Sequence, residues 1–326
     1  MPLDWTPFVE LVRRCNRFLL MTHVRPDGDA LGSELALAGV LRQHGKQARV
    51  VIASNLPPRY QFLDPDNTKI ERFHPPGDKF RDCDAVIVVD TGTWNQIGEF
   101  GPFLQTLNVP KMVIDHHRTQ DDLGGKHLVD TSAEAAGRLI YEASRALGGP
   151  LTREIADAIF LALATDTGWF RHSNTTPKTF ALAEELTLAG ANPSALYDSL
   201  YEQVSLGKLK LTGMVLDRLT TASKGQVSFT RVFLDDYAIT GALPPDTEDM
   251  INLVRSVEKS EVALMFIEQR EGGVKVSFRS RSRIDVDKIA ERFGGGGHRL
   301  ASGATIPGTM DEVVIKVLLA VESALS

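Results

Sequence analysis

Cysteine is nearly absent: the 326-residue chain has two, Cys15 and Cys83, and their separation matches neither a metal-ligand nor a redox spacing. A disulfide framework and a thiolate metal site are thereby excluded, and the pair reads as two reduced, buried thiols of a cytosolic protein. No apolar run is long enough to span a bilayer, and the N-terminal residues carry Asp4 and Glu10 where a secretory leader needs a basic end and an apolar stretch. No membrane association is expected, and the cytoplasm is the expected compartment. Excess positive charge is missing too. A net charge of −6 excludes a broad electropositive face for long nucleic acid, whereas a small phosphate ligand can still be held through metals and local arginines. Internal repeats, low-complexity tracts and a disordered tail are also lacking.

What is present is an ordinary globular balance, 43% hydrophobic and 24% charged, in a chain long enough for two domains. Strand-like apolar runs near 18–22, 48–53, 85–90 and 110–115 alternate with helix-like segments such as 31–44, in which Leu, Ala and Val recur at helical spacing. That alternation predicts an α/β fold with a parallel sheet in its N-terminal part. From Ala133 the pattern turns mostly helical, with Asn174 to Pro177 reading as a cap followed by first-turn proline and Gly190 as a stop. Alternating segments at 227–233, 262–267 and 274–278 predict a second, smaller α/β domain. The expected boundaries are a first domain over 1–190, a helical linker over 191–222 and a second domain over 223–326. The proline-rich stretch from Leu56 to Pro76 reads as a loop-rich surface insertion.

Carboxylates and imidazoles recur where such a sheet exposes its carboxyl edge. His23, Asp27 and Asp29 follow the first apolar run, Asp90 ends the third, Asp115-His116-His117 ends the fourth, and Asp166 interrupts the segment that begins at Leu161. Taken singly, each has a plainer reading: Asp27-Gly28-Asp29 makes a turn, Asp166 caps a helix, and a His-His pair sits half-buried or solvated. Their convergence on strand ends, where open α/β sheets build their sites, favours a metal centre. Carboxylate oxygen suits Mg or Mn, and added imidazole shifts preference toward Mn, Co or Zn. His23, Asp27, Asp29, Asp90, His116 and Asp166 therefore predict two Mn2+, with Mg2+ or Co2+ as alternatives. Two such ions about 3.5–4 Å apart can share a hydroxide, lower its pKa toward about 7 and stabilise both attacking and leaving oxygens of an in-line phosphoryl displacement, one aspartate bridging them.

The second cluster runs from Phe293 to Gly303, with Gly294 to Gly297 preceding His298. Consecutive glycines usually make a flexible linker. Here they join a helix-like segment, 286–293, to an apolar segment beginning at Leu300, so backbone N–H groups can approach an anion unobstructed by side chains. His298 and Arg279 would complete a phosphate clamp, within a basic stretch that also holds Arg281, Arg283, Lys288, Arg292 and Arg299. Arg281 and Arg283 are the weaker members, because exposed arginines more often serve solubility. His44, His74, His127 and His172 are isolated and read as surface or loop histidines. Trp94 and Trp169 sit just past ligands and read either as base-stacking or as wall-packing residues.

The series His23-x-x-x-Asp27-x-Asp29, Asp90, Asp115-His116-His117, Asp166-Thr167-Gly168 and Gly294 to His298 resembles the DHH phosphoesterase superfamily with its DHH-associated C-terminal domain. Within it, the chain looks most like the stand-alone NrnA group, nanoRNases and 3′-phosphoadenosine 5′-phosphate (pAp) phosphatases. The resemblance implies a DHH catalytic domain, a DHH-associated substrate-binding domain and an active site in the cleft between them. By the same resemblance His23 and Asp27 hold one ion, Asp29, His116 and Asp166 the other, and Asp90 bridges. His117 would face the substrate phosphate and Asp115 would orient neighbouring imidazoles. Arg279, His298 and the amides of Gly295, Gly296 and Gly297 would take a terminal phosphate or nucleotide. The implied activity is Mn-dependent hydrolysis of short oligonucleotides, nanoRNA and pApA, to 5′-mononucleotides, and of pAp to AMP.

Rival readings stay open. A cyclic di-AMP phosphodiesterase shares the motifs, and a RecJ-like single-strand exonuclease would need an extended basic channel. A family-II pyrophosphatase and a non-catalytic nucleotide sensor stand further off. Gln96 occupies a position where many members place an arginine, so one phosphate contact is expected from elsewhere. A homodimer is compatible with the sequence.

Overall fold

The computed structural model describes residues 3–247 and 250–325. Chain contacts divide it into two compact units, Met1–Gln203 and Val204–Ser326. In the first, β1 (Arg17–Met21), β2 (Gln47–Ile52), β3 (Ile70–Arg72), β4 (Ala85–Val89), β5 (Lys111–Asp115) and β6 (Lys126–Val129) form one sheet. Its order is β3-β2-β1-β4-β5-β6, and every pairing is parallel. The helices of this unit are α1 (Thr6–Arg14), α2 (Gly28–Gln43), α3 (Trp94–Ile97), α4 (Phe100–Thr106), α5 (Ala136–Leu147), α6 (Arg153–Asp166), α7 (Pro177–Leu188) and α8 (Pro193–Tyr201).

Both faces of the sheet are covered, which is why its central strands are continuous Val, Ile and Leu runs. Every residue of β4 is buried. Leu20, Val50, Ile87 and Val89 pack with Leu37, Leu139 and Ile159 of α2, α5 and α6, while Leu19, Val86, Val88 and Val113 pack with Phe73, Phe100 and Phe103. Strand order reverses between β1 and β4, and at that switch the loops leaving the two strands diverge to opposite sides, opening a crevice at the carboxyl edge.

Helix packing closes a third side. A Cβ built on Gly32 would stand 2.5 Å from Ala158 O, and one on Gly28 would stand 2.5 Å from Thr165 Oγ1. Only glycine lets α2 and α6 approach so closely, and the approach sets the C-terminal turn of α6 beside the N-terminal turn of α2. Asp27 starts α2, its carboxylate accepting the amide N–H groups of Asp29 and Ala30 at 3.0 and 3.1 Å.

The four expected strands are all present, and two further ones join the edges. The stretch from Leu56 to Pro76 is more built into the fold than its prolines suggest: it contains β3 and buries Tyr60 and Phe73. Buried Asp64 organises it by accepting the amides of Thr68 and Ile70 at 2.7 and 2.8 Å. α7 opens at Pro177 behind Thr176, and the chain turns at Gly190, φ 102°.

The second unit contains β7 (Thr220–Ala222), β8 (Val227–Val232), β9 (Val262–Glu268), β10 (Val274–Ser280), β11 (Gly296–His298) and β12 (Ala301–Ile306). Their order is β11-β12-β10-β9-β8-β7, with β8 and β9 parallel and the other pairs antiparallel. The sheet carries α9 (Leu206–Asp217), α10 (Leu234–Thr240), α11 (Met250–Arg255), α12 (Val286–Glu291) and α13 (Met310–Leu325). The segment 191–222 is shared: α8 belongs to the first unit, α9 and β7 to the second. Among the described residues no helix is long and apolar enough to cross a membrane.

Candidate metal centre

Asp90 stands at the middle of the arrangement. It follows β4 at φ 59°, in the left-handed region where a non-glycine residue carries strain. The turn takes its side chain out of the strand's alternation and towards the imidazoles that follow β1 and β5. Its Oδ2 lies 3.5 Å from His23 Nε2, and its Oδ1 lies 3.3 Å from His116 Nε2 and 3.8 Å from His117 Nδ1. Burial would raise the Asp90 pKa, but the His116 and His23 imidazoles outweigh it and hold the carboxyl below its usual range.

Asp29 is held from the opposite side. Its carboxylate accepts the amides of Ala136 and Gly137, in the first turn of α5, at 2.7 and 2.9 Å, and the Ser33 hydroxyl at 3.1 Å. His116 Nε2 lies 3.5 Å from Asp29 Oδ2, while its Nδ1–H donates to Ala133 O at 3.2 Å. That bond fixes the ring's orientation and turns Nε2 towards the carboxylates, where it could ligate a cation once its proton has left. Asp166 ends α6, so its charge sits at the negative end of a helix dipole, where a carboxylate is disfavoured unless a cation is near.

Three sets of side chains bring their ligand atoms within 4.8 Å of one another: His23, Asp27 and Asp90; Asp29, His116 and Asp166; and Asp90, His116 and His117. All six ligands expected from sequence lie in the first two. His117, expected to face substrate, joins the third. Burial, joined by the charge of Asp90, pushes the Asp27 and Asp29 carboxyls up, and burial pushes Asp166 up to about 6. Asp90 Oδ1 is buried without a hydrogen-bond partner. So many buried acids are costly without a cation, and oxygen with imidazole nitrogen is the donor set of a divalent metal. The residues fit such an ion.

Behind this layer, Asp115 is fully buried and accepts the amides of His116 and His117 at 2.8 and 3.2 Å and His117 Nδ1–H at 2.8 Å. It orients one imidazole, His117, whose ring is otherwise exposed; the His116 ring is steered by Ala133 instead. Gln120 Nε2 donates to Asp115 Oδ2, and Gln120 Oε1 accepts His127 Nδ1–H at 3.1 Å. Sequence reasoning missed both. His127 reads in the sequence as an isolated surface histidine, and it is half-buried on β6. The available signal was Gly92, where a Cβ would stand 1.8 Å from Gln120 Oε1. Gly92→Ala is accordingly expected to push Gln120 off Asp115 and lower kcat by roughly tenfold to a hundredfold, with the Mn2+ titration midpoint unchanged in a parallel binding measurement.

Other residues take structural roles. Trp94 Nε1–H donates to Asp122 O at 3.2 Å, and Trp169 packs edge-on against Phe160, Tyr197 and Tyr201, so both are wall residues. Gln96 Oε1 accepts the hydroxyls of Thr91 and Thr93 at 2.7 and 3.0 Å. His44, His74 and His172 lie outside the three sets.

In the second unit, Arg279 and His298 both pair in register with Ala301, on the strands flanking it. Directly opposed residues project from one face, so a small alanine separates the arginine and histidine side chains across roughly 10 Å. The glycines divide. Gly295 N–H donates to Ala290 O at 2.9 Å, closing the end of α12, so that amide is engaged. A Cβ on Gly295 or Gly297 would strike the β12 backbone at 2.2 or 2.6 Å, so these two also permit close strand packing, whereas one on Gly296 would meet Asp287 Oδ1 at an ordinary 3.9 Å. Arg281 donates to the carbonyls of Arg255 and Val257, and Arg299 to Ser282 O, which ties them to the scaffold.

Known proteins share this arrangement of domains. The family model for the DHH family, N-terminal domain, matches residues 17–163, and that for the DHHA1 domain matches residues 237–326. The bifunctional oligoribonuclease and PAP phosphatase NrnA of Thermus thermophilus is 34% identical over 318 residues, covering 94% of this chain and 90% of its own. The Bacillus subtilis protein of the same name is 29% identical over 310 residues, covering 92% and 93%. A solved exopolyphosphatase-related protein from Bacteroides fragilis has the same fold, with a TM-score of 0.89 over 98% of this chain and 97% of that one at 23% identity. With both domains matched in order and a relative above 30% identity along nearly the whole length, the chain belongs to the DHH family of phosphoesterases, among the members that carry a DHHA1 domain.

Proposed function

We propose that this chain is a Mn2+-dependent phosphoesterase that releases 5′-mononucleotides from very short oligonucleotides, nanoRNA and pApA, and removes the 3′-phosphate of pAp. The observation that carries the reading is the convergence of six carboxylate and imidazole ligands on Asp90 at the β1/β4 switch, in a chain whose relatives are named for these two activities. His23 and Asp27 would hold one ion, Asp29, His116 and Asp166 the other, and Asp90 would be shared. The ions would supply positive charge to the phosphoryl oxygens and activate a water at neutral pH. His117 faces outward, and its hydrogen bond to Asp115 holds its pKa above the usual imidazole value, which favours a cationic ring for an incoming phosphate.

In this reading residues 1–190 do the chemistry and residues 223–326 select the substrate, with a terminal phosphate or nucleotide taken by Arg279, His298 and the amides of Gly296 and Gly297. Gly295 contributes by holding β11 against β12. The protein would act in the cytoplasm. Arg279→Ala is expected to raise KM for pApA by roughly tenfold to a hundredfold, the worth of one charge-assisted hydrogen bond, while small generic phosphodiesters are turned over as before. Equal loss on both substrate types would remove Arg279 from the clamp.

The deciding experiment incubates the chelator-treated protein with Mn2+, Mg2+ or Co2+ and, in parallel, pApA, pAp, a short RNA, long single-stranded DNA, cyclic di-AMP and pyrophosphate. AMP release from pApA, pAp and the short RNA, best with Mn2+ and with the other three substrates spared, is the expected result. Turnover confined to cyclic di-AMP, long DNA or pyrophosphate would overturn it.

A further inference from the structure

Glu34 is a carboxyl with no evident reason to be where it is. It lies on α2, fully buried, and neither of its oxygens has a hydrogen-bond partner among the described residues. Leaving such a group unsatisfied is costly, because its hydration is lost with nothing in return. Packing alone does not ask for it: Ala30, Leu31, Leu37 and Ala38, one turn away on either side, are apolar and buried.

Helix geometry says what it faces. Gly28, Gly32 and Gly39 point at α6, and Asp29 and Ser33 point at the start of α5. At about 100° per residue this leaves Ala30, Glu34, Leu37 and Leu41 towards the strands. On β1, Phe18 and Leu20 face the same layer, and alternation puts Thr22 there too. Thr22 Oγ1 is buried and unpartnered, as is Asp90 Oδ1 at the end of the neighbouring β4. Burial and then the charge of Asp90 push the Glu34 carboxyl well above the usual carboxylate range. A buried carboxyl can hold a bridging water in either protonation state, accepting the water's O–H or, when neutral, donating its own.

We infer that Glu34 is a positioning residue for the bridging aspartate: none of these oxygens bonds another directly, and a buried water held by Glu34 and the Thr22 hydroxyl supports the rear of the Asp90 carboxylate and sets the orientation in which Asp90 meets the metal ions. The inference rests on the assignment of Asp90 as a ligand. Asp90 has histidines on its open side and a strained backbone beneath, so its two oxygens can be aimed only from behind. A donor there also offsets the repulsion among the clustered acids. Outer partners of this kind typically govern about tenfold to a hundredfold in metal affinity.

The test is Mn2+ titration of the full-length, chelator-treated protein, followed by paramagnetic resonance of free Mn2+, with the thermal midpoint of the metal-free form measured alongside. Glu34→Met matches the parent in length and cannot hold the water. It is expected to leave the metal-free midpoint unchanged or higher and to weaken Mn2+ binding by roughly tenfold to a hundredfold. Glu34→Gln, whose amide can hold the same water, is expected to bind Mn2+ like the parent. Parental binding by E34M, or equal loss in E34Q and E34M, overturns the inference. Should E34M fail to fold, Thr22→Val decides: weakened Mn2+ binding supports the support role, and parental binding overturns it. Asp90→Ala separates the two levels. If it binds Mn2+ like the parent, the ligand assignment itself fails, whereas loss in D90A with parental binding in E34M removes the role of Glu34 alone.

Discussion

Asp90→Ala is expected to abolish metal-dependent hydrolysis, with kcat/KM on pApA falling by at least about 10^4-fold, or roughly 5.5 kcal/mol of transition-state stabilisation. The size follows from position. Asp90 belongs to two of the three ligand sets, is 3% exposed and is the carboxylate closest to both His23 and His116. If Asp90 is shared as proposed, its removal would weaken both ions together, where loss of Asp27 or Asp166 would weaken one. Asp90→Asn keeps the shape and the left-handed turn but removes the negative charge and replaces one acceptor oxygen with an NH2 donor, and is expected to fall nearly as far. That comparison matters because alanine tolerates positive φ less well than aspartate, by about 1–2 kcal/mol. Circular dichroism of both variants would show an intact fold, and activity in D90N above about a tenth of the parent's would refute the bridging role.

How much of this was legible beforehand depends on the physical range of each signal. The six candidate ligands that the structure gathers could be picked out because strand ends are visible as breaks in apolar runs, and acids gathered at several such ends serve neither packing nor solubility. The lines Phe18–Met21, Ala85–Val89 and Met112–Ile114 carry the fold class for the same reason: a parallel sheet buried on both faces writes itself as unbroken hydrophobicity. β3 and β6 did not announce themselves. Ile70–Arg72 and Lys126–Val129 are short edge strands, half-polar because one side meets solvent, and their identity comes from pairing with β2 and β5.

β11 is the sharper case. Gly296–His298 has no strand propensity, yet it pairs with β12, because glycine permits the approach that Gly303 and Ala301 require. In the sequence its glycines read as anion donors, and their work in packing is invisible without the partner strand. Gln120, His127 and Glu34 escape for a related reason. Each is a single polar residue whose meaning lies in the side chain it faces after folding, within the β5–β6 connection for Gln120 and His127 and across a layer for Glu34, and neither period nor spacing encodes that. The glycines that mark such contacts, Gly28, Gly32 and Gly92, are present in the sequence, but a glycine does not say which neighbour it makes room for.

Raising the pH should tighten Mn2+ binding steeply, and the direction follows from His116. Burial alone would lower its pKa, but the Asp90 carboxylate beside it, with the charges of Asp29 and Asp166, raises it to about 10. Ligation needs the neutral ring. Near pH 7 the metal-free ring is protonated, so each Mn2+ bound at His116 must displace one proton, and affinity gains about tenfold per pH unit until the pH passes through the raised pKa. Asp166 behaves differently, because burial brings it to about 6. Around neutrality it is already ionised and adds nothing, whereas below its pKa a second proton must leave and the dependence steepens towards about a hundredfold per unit. Calorimetry of Mn2+ binding in buffers of different ionisation enthalpy counts these protons directly. A count of at least one at pH 7, rising in acid, is expected, with raised His23 and Asp29 adding to it, and His116→Asn should lower it. Affinity that does not change with pH across this range would mean that His116 is not a ligand, since no other arrangement of these charges lets a buried, protonated imidazole accept a cation without giving up its proton.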